Sequence, residues 1–138
     1  FIAHLHLRPA AQTTVLFIED NPDTLQLYQR YLTGAGYAFV SATTDAQIAE
    51  RLAEATPHII VLDVMLPGFD GWEVLGRLRT HPRTQEVPVV MCSILPLDQL
   101  ALNLGAAAFL QKPVSREALL ATLNRLRAAQ GSPPYSTP

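Results

Sequence analysis

The chain alternates short, mainly apolar runs with longer stretches in which apolar residues recur every three or four positions. Five runs stand out: Val15-Leu16-Phe17-Ile18, Phe39–Ala42, Ile59-Ile60-Val61-Leu62, Val87–Cys92 and Ala107–Leu110. Runs of this length without polar alternation read as strands buried on both faces, the habit of a parallel sheet. Between them, Leu25, Tyr28 and Leu32, and again Ile48, Leu52 and Ala55, keep the i, i+3, i+4 spacing of helices that bury one face. A further amphipathic run spans Trp72 to Leu78. A last helix is predicted from about Arg116 to Ala128, N-capped by Ser115, with Leu119, Leu120, Leu123 and Leu126 facing inward. Strand followed by helix, repeated in this way, predicts an α/β fold: a doubly wound five-stranded parallel sheet with helices on both faces. No internal repeat shows.

Carboxylates end two of the predicted strands, Glu19 and Asp20 after the first run and Asp63 after the third. In an open parallel sheet the carboxyl ends of the strands open onto the ligand crevice, so these acids converge. Crowded carboxylates repel and raise one another's pKa unless a cation holds them, and the cluster therefore implies a divalent metal. A single Asp after a strand is as readily a helix cap or turn former. In the loop Val64-Met65-Leu66-Pro67-Gly68-Phe69-Asp70-Gly71-Trp72, Asp70 is the better cap for the following helix, which leaves Asp63 free for chemistry.

Composition narrows the classes. At 138 residues, 49% hydrophobic and 16% charged, the chain suits one domain with a real core, and its net charge of -2 offers no basic surface for nucleic acid. No stretch is apolar for long enough to cross a bilayer, and no basic n-region opens the chain. The lone Cys92, inside an apolar run, reads as a buried small hydrophobe in a reducing, cytoplasmic setting. Residues 1–13 and 130–138, rich in Pro, Ser, Thr and Gly over much of their length, read as linkers or remnants around a domain at 14–129. His4 and His6 alternate with leucine and are too few to form a metal site by themselves.

Five ordered elements carry a family resemblance: Phe17-Ile18-Glu19-Asp20-Asn21; Val61 to Gly71 around Asp63; Val89-Val90-Met91-Cys92-Ser93; Gly105-Ala106 with Phe109; and Gln111-Lys112-Pro113. Over roughly Thr14 to Ala129 the chain resembles the receiver domain of bacterial two-component response regulators. The resemblance implies a flavodoxin-like strand order 2-1-3-4-5 and a phosphoacceptor at Asp63, charged by a histidine kinase or phosphotransfer protein. It implies Mg²⁺ held by Glu19, Asp20, Asp63 and the backbone carbonyl of Met65. Lys112 and Ser93 would neutralise charge on the phosphoryl oxygens, and the Lys112–Pro113 bond would be cis, aiming the ammonium inward. Ser93 and Phe109 would form the switch that reports phosphorylation to an output domain or partner protein. Catalysis would extend only to the domain's own phosphorylation and dephosphorylation.

Three departures bear on that expectation. Phe109 replaces the commoner Tyr. Ile94 occupies a usually small position where it would narrow access to Asp63. The segment from Ser93 to Lys112 is short by about one helical turn of 3.6 residues. Its remainder, Ile94 to Leu104, reads as a helix apolar around most of its girth, with about half its leucines for the core and the rest for a partner or a homodimer through the fourth-helix to fifth-helix face. These departures keep open an alternative, a degenerate receiver that binds protein through that face without phosphorylation. An external phosphatase or phosphotransferase would want a second acid two residues after the nucleophile, and Met65 stands there.

Overall fold

The computed structural model describes residues 12–130. In chain order it runs β1 (Thr13–Ile18), α1 (Pro22–Leu32), β2 (Tyr37–Ala42), α2 (Asp45–Glu54), β3 (Ile59–Asp63), β4 (Met65–Leu66) and β5 (Phe69–Asp70). It continues through α3 (Gly71–Thr80), β6 (Val89–Ser93), α4 (Asp98–Asn103), β7 (Ala108–Gln111) and α5 (Arg116–Gln130). Five strands pair in parallel in the order β2-β1-β3-β6-β7, so the chain starts near the middle, steps outward once and then crosses to the other side. The five short runs thus take the order expected of the flavodoxin-like sheet, and the two tiny strands β4 and β5 stand apart as an antiparallel hairpin.

Period-two alternation explains the two cores. Val15 and Phe17 of β1, Ile59 and Val61 of β3, and Val90 and Cys92 of β6 face one side, where α1 and α5 cover them with Tyr28, Leu32, Leu119, Leu123 and Leu126. Leu16, Ile18, Ile60, Leu62, Val89 and Met91 face the other, against Ile48 of α2, Val74, Leu75 and Leu78 of α3, and Ala101 of α4. Every residue of β3 and of β6 is buried, which is why their sequences carry no polar alternation.

The boundaries move by small, explicable amounts. Thr13 pairs with Tyr37, and Gln130 donates to the carbonyl of His58, so regular secondary structure reaches one residue past 14–129 at each end. Val87 is buried but lies outside β6, because Pro88 brings no amide hydrogen to a ladder and the Val87 N–H turns back to Thr84. Ala55 is not part of a buried helical face: α2 ends at Glu54 and Ala55 is its exposed C-cap in extended backbone. Asp70 caps α3 through Trp72 N–H at 2.9 Å, and Ser115 accepts from Ala118 N–H at 3.1 Å, as predicted. His4, His6 and most of both predicted linkers lie outside the described residues.

The segment after Ser93 departs most from expectation. Helix α4 has only six residues, and Ala101 is its buried position. Of the neighbouring leucines, Leu97 packs against the core, whereas Leu95, Leu100, Leu102 and Leu104 are exposed. A six-residue helix spans under two turns and offers the sheet little more than one side chain. The core therefore takes fewer than half of these leucines.

Candidate functional site

Two strand ends at the carboxyl edge of the sheet bring the acids together. Glu19 and Asp20 follow β1, Asp63 ends β3, and one carboxylate oxygen of each lies within 4.8 Å of the others. Glu19 and Asp63 are buried and Asp20 is half-buried. The Lys112 ammonium reaches in from the end of β7, 2.9 Å from Glu19 Oε1 and 3.3 Å from Asp63 Oδ2. The Lys112–Pro113 peptide is cis. Ser93 ends β6 in a buried position, and its backbone carbonyl accepts from Lys112 N–H at 2.8 Å, which ties the two strand ends that flank the acids.

Local hydrogen bonds fix Glu19 and Asp63. Asn21 caps α1, its Oδ1 accepting from Asp23 N–H and Thr24 N–H, while its own N–H donates to Glu19 Oε2 at 3.2 Å. With Asn21 as the cap and Pro22 at the first helical position, neither Glu19 nor Asp20 is spent on the helix terminus. Asp63 Oδ1 accepts from Met65 N–H at 3.3 Å. The loop beyond it turns at Pro67-Gly68, where Gly68 has φ +81°, a left-handed conformation that suits glycine in a turn led by proline. Gly71 closes the hairpin back onto Val64; a Cβ there would stand 2.4 Å from the Asp63 carbonyl oxygen.

Burial dominates the electrostatics. It pushes the Glu19 carboxyl above the usual range, and the Asp63 charge adds to this while the hydrogen bond from Lys112 opposes it. Burial by itself would lower Lys112, but the hydrogen bond and charge of Glu19, with the charge of Asp63, outweigh it and hold the ammonium protonated. Beneath the site, Tyr28 lies against Cys92, and burial raises both groups, the thiol to about 12. The donor set of three carboxylates within bridging distance, two of them buried, fits a small hard divalent cation.

Sequence reasoning missed Asn21, Gly71 and Gln111. Asn before Pro is a legible cap signal, and Gly71 enters the sequence reading only as a member of the motif around Asp63. Gln111 Nε2 donates to the Ile94 carbonyl at 3.2 Å, a contact between elements that no local pattern announces. A cavity of about 610 Å³ lies between α2 and α3, lined by Ile48, Leu52, Val74 and Leu78 among others, and Glu19, Asp20 and Asp63 are not part of it. Convergent charge, not volume, marks the site.

The sequence pattern of the response regulator receiver domain matches residues 15–124. The chain is a receiver domain. Among curated proteins this receiver is 32% identical over 121 residues to the transcriptional regulatory protein GltR of Pseudomonas aeruginosa, covering 85% of this chain and 50% of that one. It spans between 25% and 50% of the length of the curated relatives it matches. Its fold is that of a putative response regulator from Chloroflexus aurantiacus, with a TM-score of 0.79 at 26% identity over 86% of this chain and 99% of that chain. It is also similar to the receiver domain of the sensor histidine kinase PA1611 from P. aeruginosa, at TM-score 0.75 and 25% identity over 86% and 99% of the two chains. That structure carries a magnesium ion coordinated in its active site cleft. The receiver fold belongs to two-component signal transduction, and the Glu19, Asp20 and Asp63 cluster fits the Mg²⁺-dependent phosphorylation site of such domains. Among the described residues no helix is long and apolar enough to cross a membrane.

Proposed function

We propose that Asp63 accepts a phosphoryl group from the phosphohistidine of a histidine kinase or phosphotransfer protein, in the cytoplasm, and passes the resulting state to an output domain or partner. The observation that carries this reading is the meeting of three carboxylates within 4.8 Å beside a lysine ammonium 3.3 Å from Asp63. An Asp63 carboxylate oxygen attacks phosphorus in line with the leaving nitrogen, giving an acyl phosphate. Lys112 moves its attraction from the ground-state carboxylates onto the phosphoryl oxygens, where charge accumulates. Glu19, Asp20, Asp63 and the Met65 carbonyl would hold Mg²⁺, which would supply charge neutralisation at the phosphoryl group.

Readout falls to Ser93 and Phe109. Ser93 Oγ accepts from Leu95 N–H at 3.1 Å, so a hydroxyl that turns to donate to phosphate must let that loop amide go. Phe109, half-buried opposite Met91 in the β6–β7 ladder, packs on the core beneath α4 and is placed to follow such a movement. Ile94 is 65% exposed and follows Ser93 directly, a position from which its branched side chain would narrow access to Asp63. The exposed leucines of α4 offer the face on which an output element or a second copy is read.

The test is labelling. With Mg²⁺ and phosphoramidate, mass spectrometry should find one acid-stable, hydroxylamine-labile phosphoryl group on the parent and none on Asp63→Asn. Equal labelling of the variant would overturn the assignment, and Asp20→Asn should weaken Mg²⁺ binding at least about tenfold, as loss of a carboxylate ligand implies.

A further inference from the structure

Among the described residues the large apolar side chains left exposed are Met65, Ile94, Leu95, Leu100, Leu102 and Leu104. They are not scattered. Three stand on the loops around Asp63 and Ser93, and the rest follow along α4. Scattered apolar residues on a surface need no explanation, but a set gathered on the segments that follow Asp63 and Ser93 does.

Between the two loops runs a groove of about 590 Å³ walled by Met65, Pro67, Phe69 and Trp72 on the hairpin side and by Leu95 and Leu97 on the other. Each wall is tied to a side chain of the site. Met65 N–H donates to Asp63 Oδ1 at 3.3 Å, and Leu95 N–H donates to Ser93 Oγ at 3.1 Å. The groove therefore adjoins the segments that carry Asp63 and Ser93, whose own side chains do not line it. Its lining includes no cation, so it is unsuited to hold phosphate; its chemistry suits an apolar neighbour of the phosphate.

We infer that this groove seats the apolar side chains that flank the phosphohistidine of a protein phosphodonor, and so selects donors by the residues beside the reacting histidine. This rests on the reading of Asp63 as phosphoacceptor. The occupant follows from the reaction itself, because a macromolecule that delivers phosphate to the buried Asp63 must cover the loops around it, and those loops present Met65, Ile94 and Leu95. In the transfer, an Asp63 oxygen forms the new bond to phosphorus. The P–N bond breaks, and its electron pair stays on the imidazole nitrogen, which takes a proton from solvent. The flanking side chains keep their places in the groove throughout, and they hold the histidine in line with the carboxylate.

The experiment uses two chemically phosphorylated tripeptides, N-acetyl-Leu-His-Leu-amide and N-acetyl-Ser-His-Ser-amide, which share one leaving group and differ only in their flanks. With Mg²⁺, the second-order rate of Asp63 labelling should be about tenfold higher for the leucine peptide, the scale of discrimination one apolar group gives in a pocket. In Leu95→Ser, and independently in Pro67→Ser, that ratio should fall toward one. Circular dichroism and labelling by phosphoramidate report whether each variant is folded and competent. A ratio near one in the parent, a ratio unchanged in both competent variants, or labelling by phosphoramidate with neither peptide active would each overturn the groove. Failure of every donor, phosphoramidate included, would instead overturn Asp63 as phosphoacceptor.

Discussion

Single residues hold this site at close tolerance. Gly71 is an instance in which the absence of a side chain is the functional property: the space its Cβ would need holds the Asp63 carbonyl at 2.4 Å and Val64 backbone atoms at 2.7 Å. Backbone cannot step aside as a flexible side chain can. Gly71→Ala should cost about 1–3 kcal/mol, the range for forced overpacking, read as a lower urea midpoint at unchanged m-value. A midpoint equal to the parent's would show that the hairpin relaxes freely. Cys92 illustrates the opposite case, a reactive atom disarmed by its surroundings. Buried against Tyr28, with its thiol pushed up to about 12, it should react with a disulfide reagent at pH 8 only as fast as the protein opens. Stoichiometric labelling within seconds in native buffer would contradict this.

Elements at the site are short, and their ends matter more than their interiors. Helix α1 starts at Pro22 directly behind the acidic pair, and Asn21 satisfies two of its amides while donating to Glu19. One residue thereby anchors both a helix and a carboxylate. Asn21→Ala should destabilise the domain by about 1 kcal/mol, the usual worth of an N-cap, as measured by denaturant titration. Because the Asn21 backbone N–H survives the substitution, labelling of Asp63 should persist; stability equal to the parent's would show that Asp23 or Thr24 finds another acceptor. Helix α4 shows how tertiary contact overrides pattern. Its leucine-rich sequence suits a half-buried helix, yet Ala101 takes the contact with the sheet and leaves Leu100, Leu102 and Leu104 in solvent.

Across the whole molecule, the strand ends define function by where they meet. Lys112 and Glu19 are 93 positions apart in the chain and 2.9 Å apart in space, and the parallel order β2-β1-β3-β6-β7 is what joins them. The apolar runs announced all five main strands: β3, β6 and the Val15–Ile18 part of β1 are buried on both faces and so apolar almost throughout, while the edge strands β2 and β7 keep half-buried positions and a polar residue each. The acids at the ends of β1 and β3 were legible for the same reason: a carboxylate closing such a run has nowhere to go but the sheet edge. Asp70 and Ser115 were legible as caps because capping is settled within three or four residues. Pairwise geometry was not. Which oxygen of Glu19 meets Lys112, that Ser93 Oγ serves Leu95 N–H, and that Gln111 reaches Ile94 depend on packing between elements. The groove beside Asp63 arises in the same way, from two loops brought side by side. Sequence determined the strands, the caps and the inventory of reactive groups, since local backbone and burial preferences repeat with fixed periods. Tertiary structure alone decided which leucines face water and which charges touch, since both depend on distances that no period in the chain encodes.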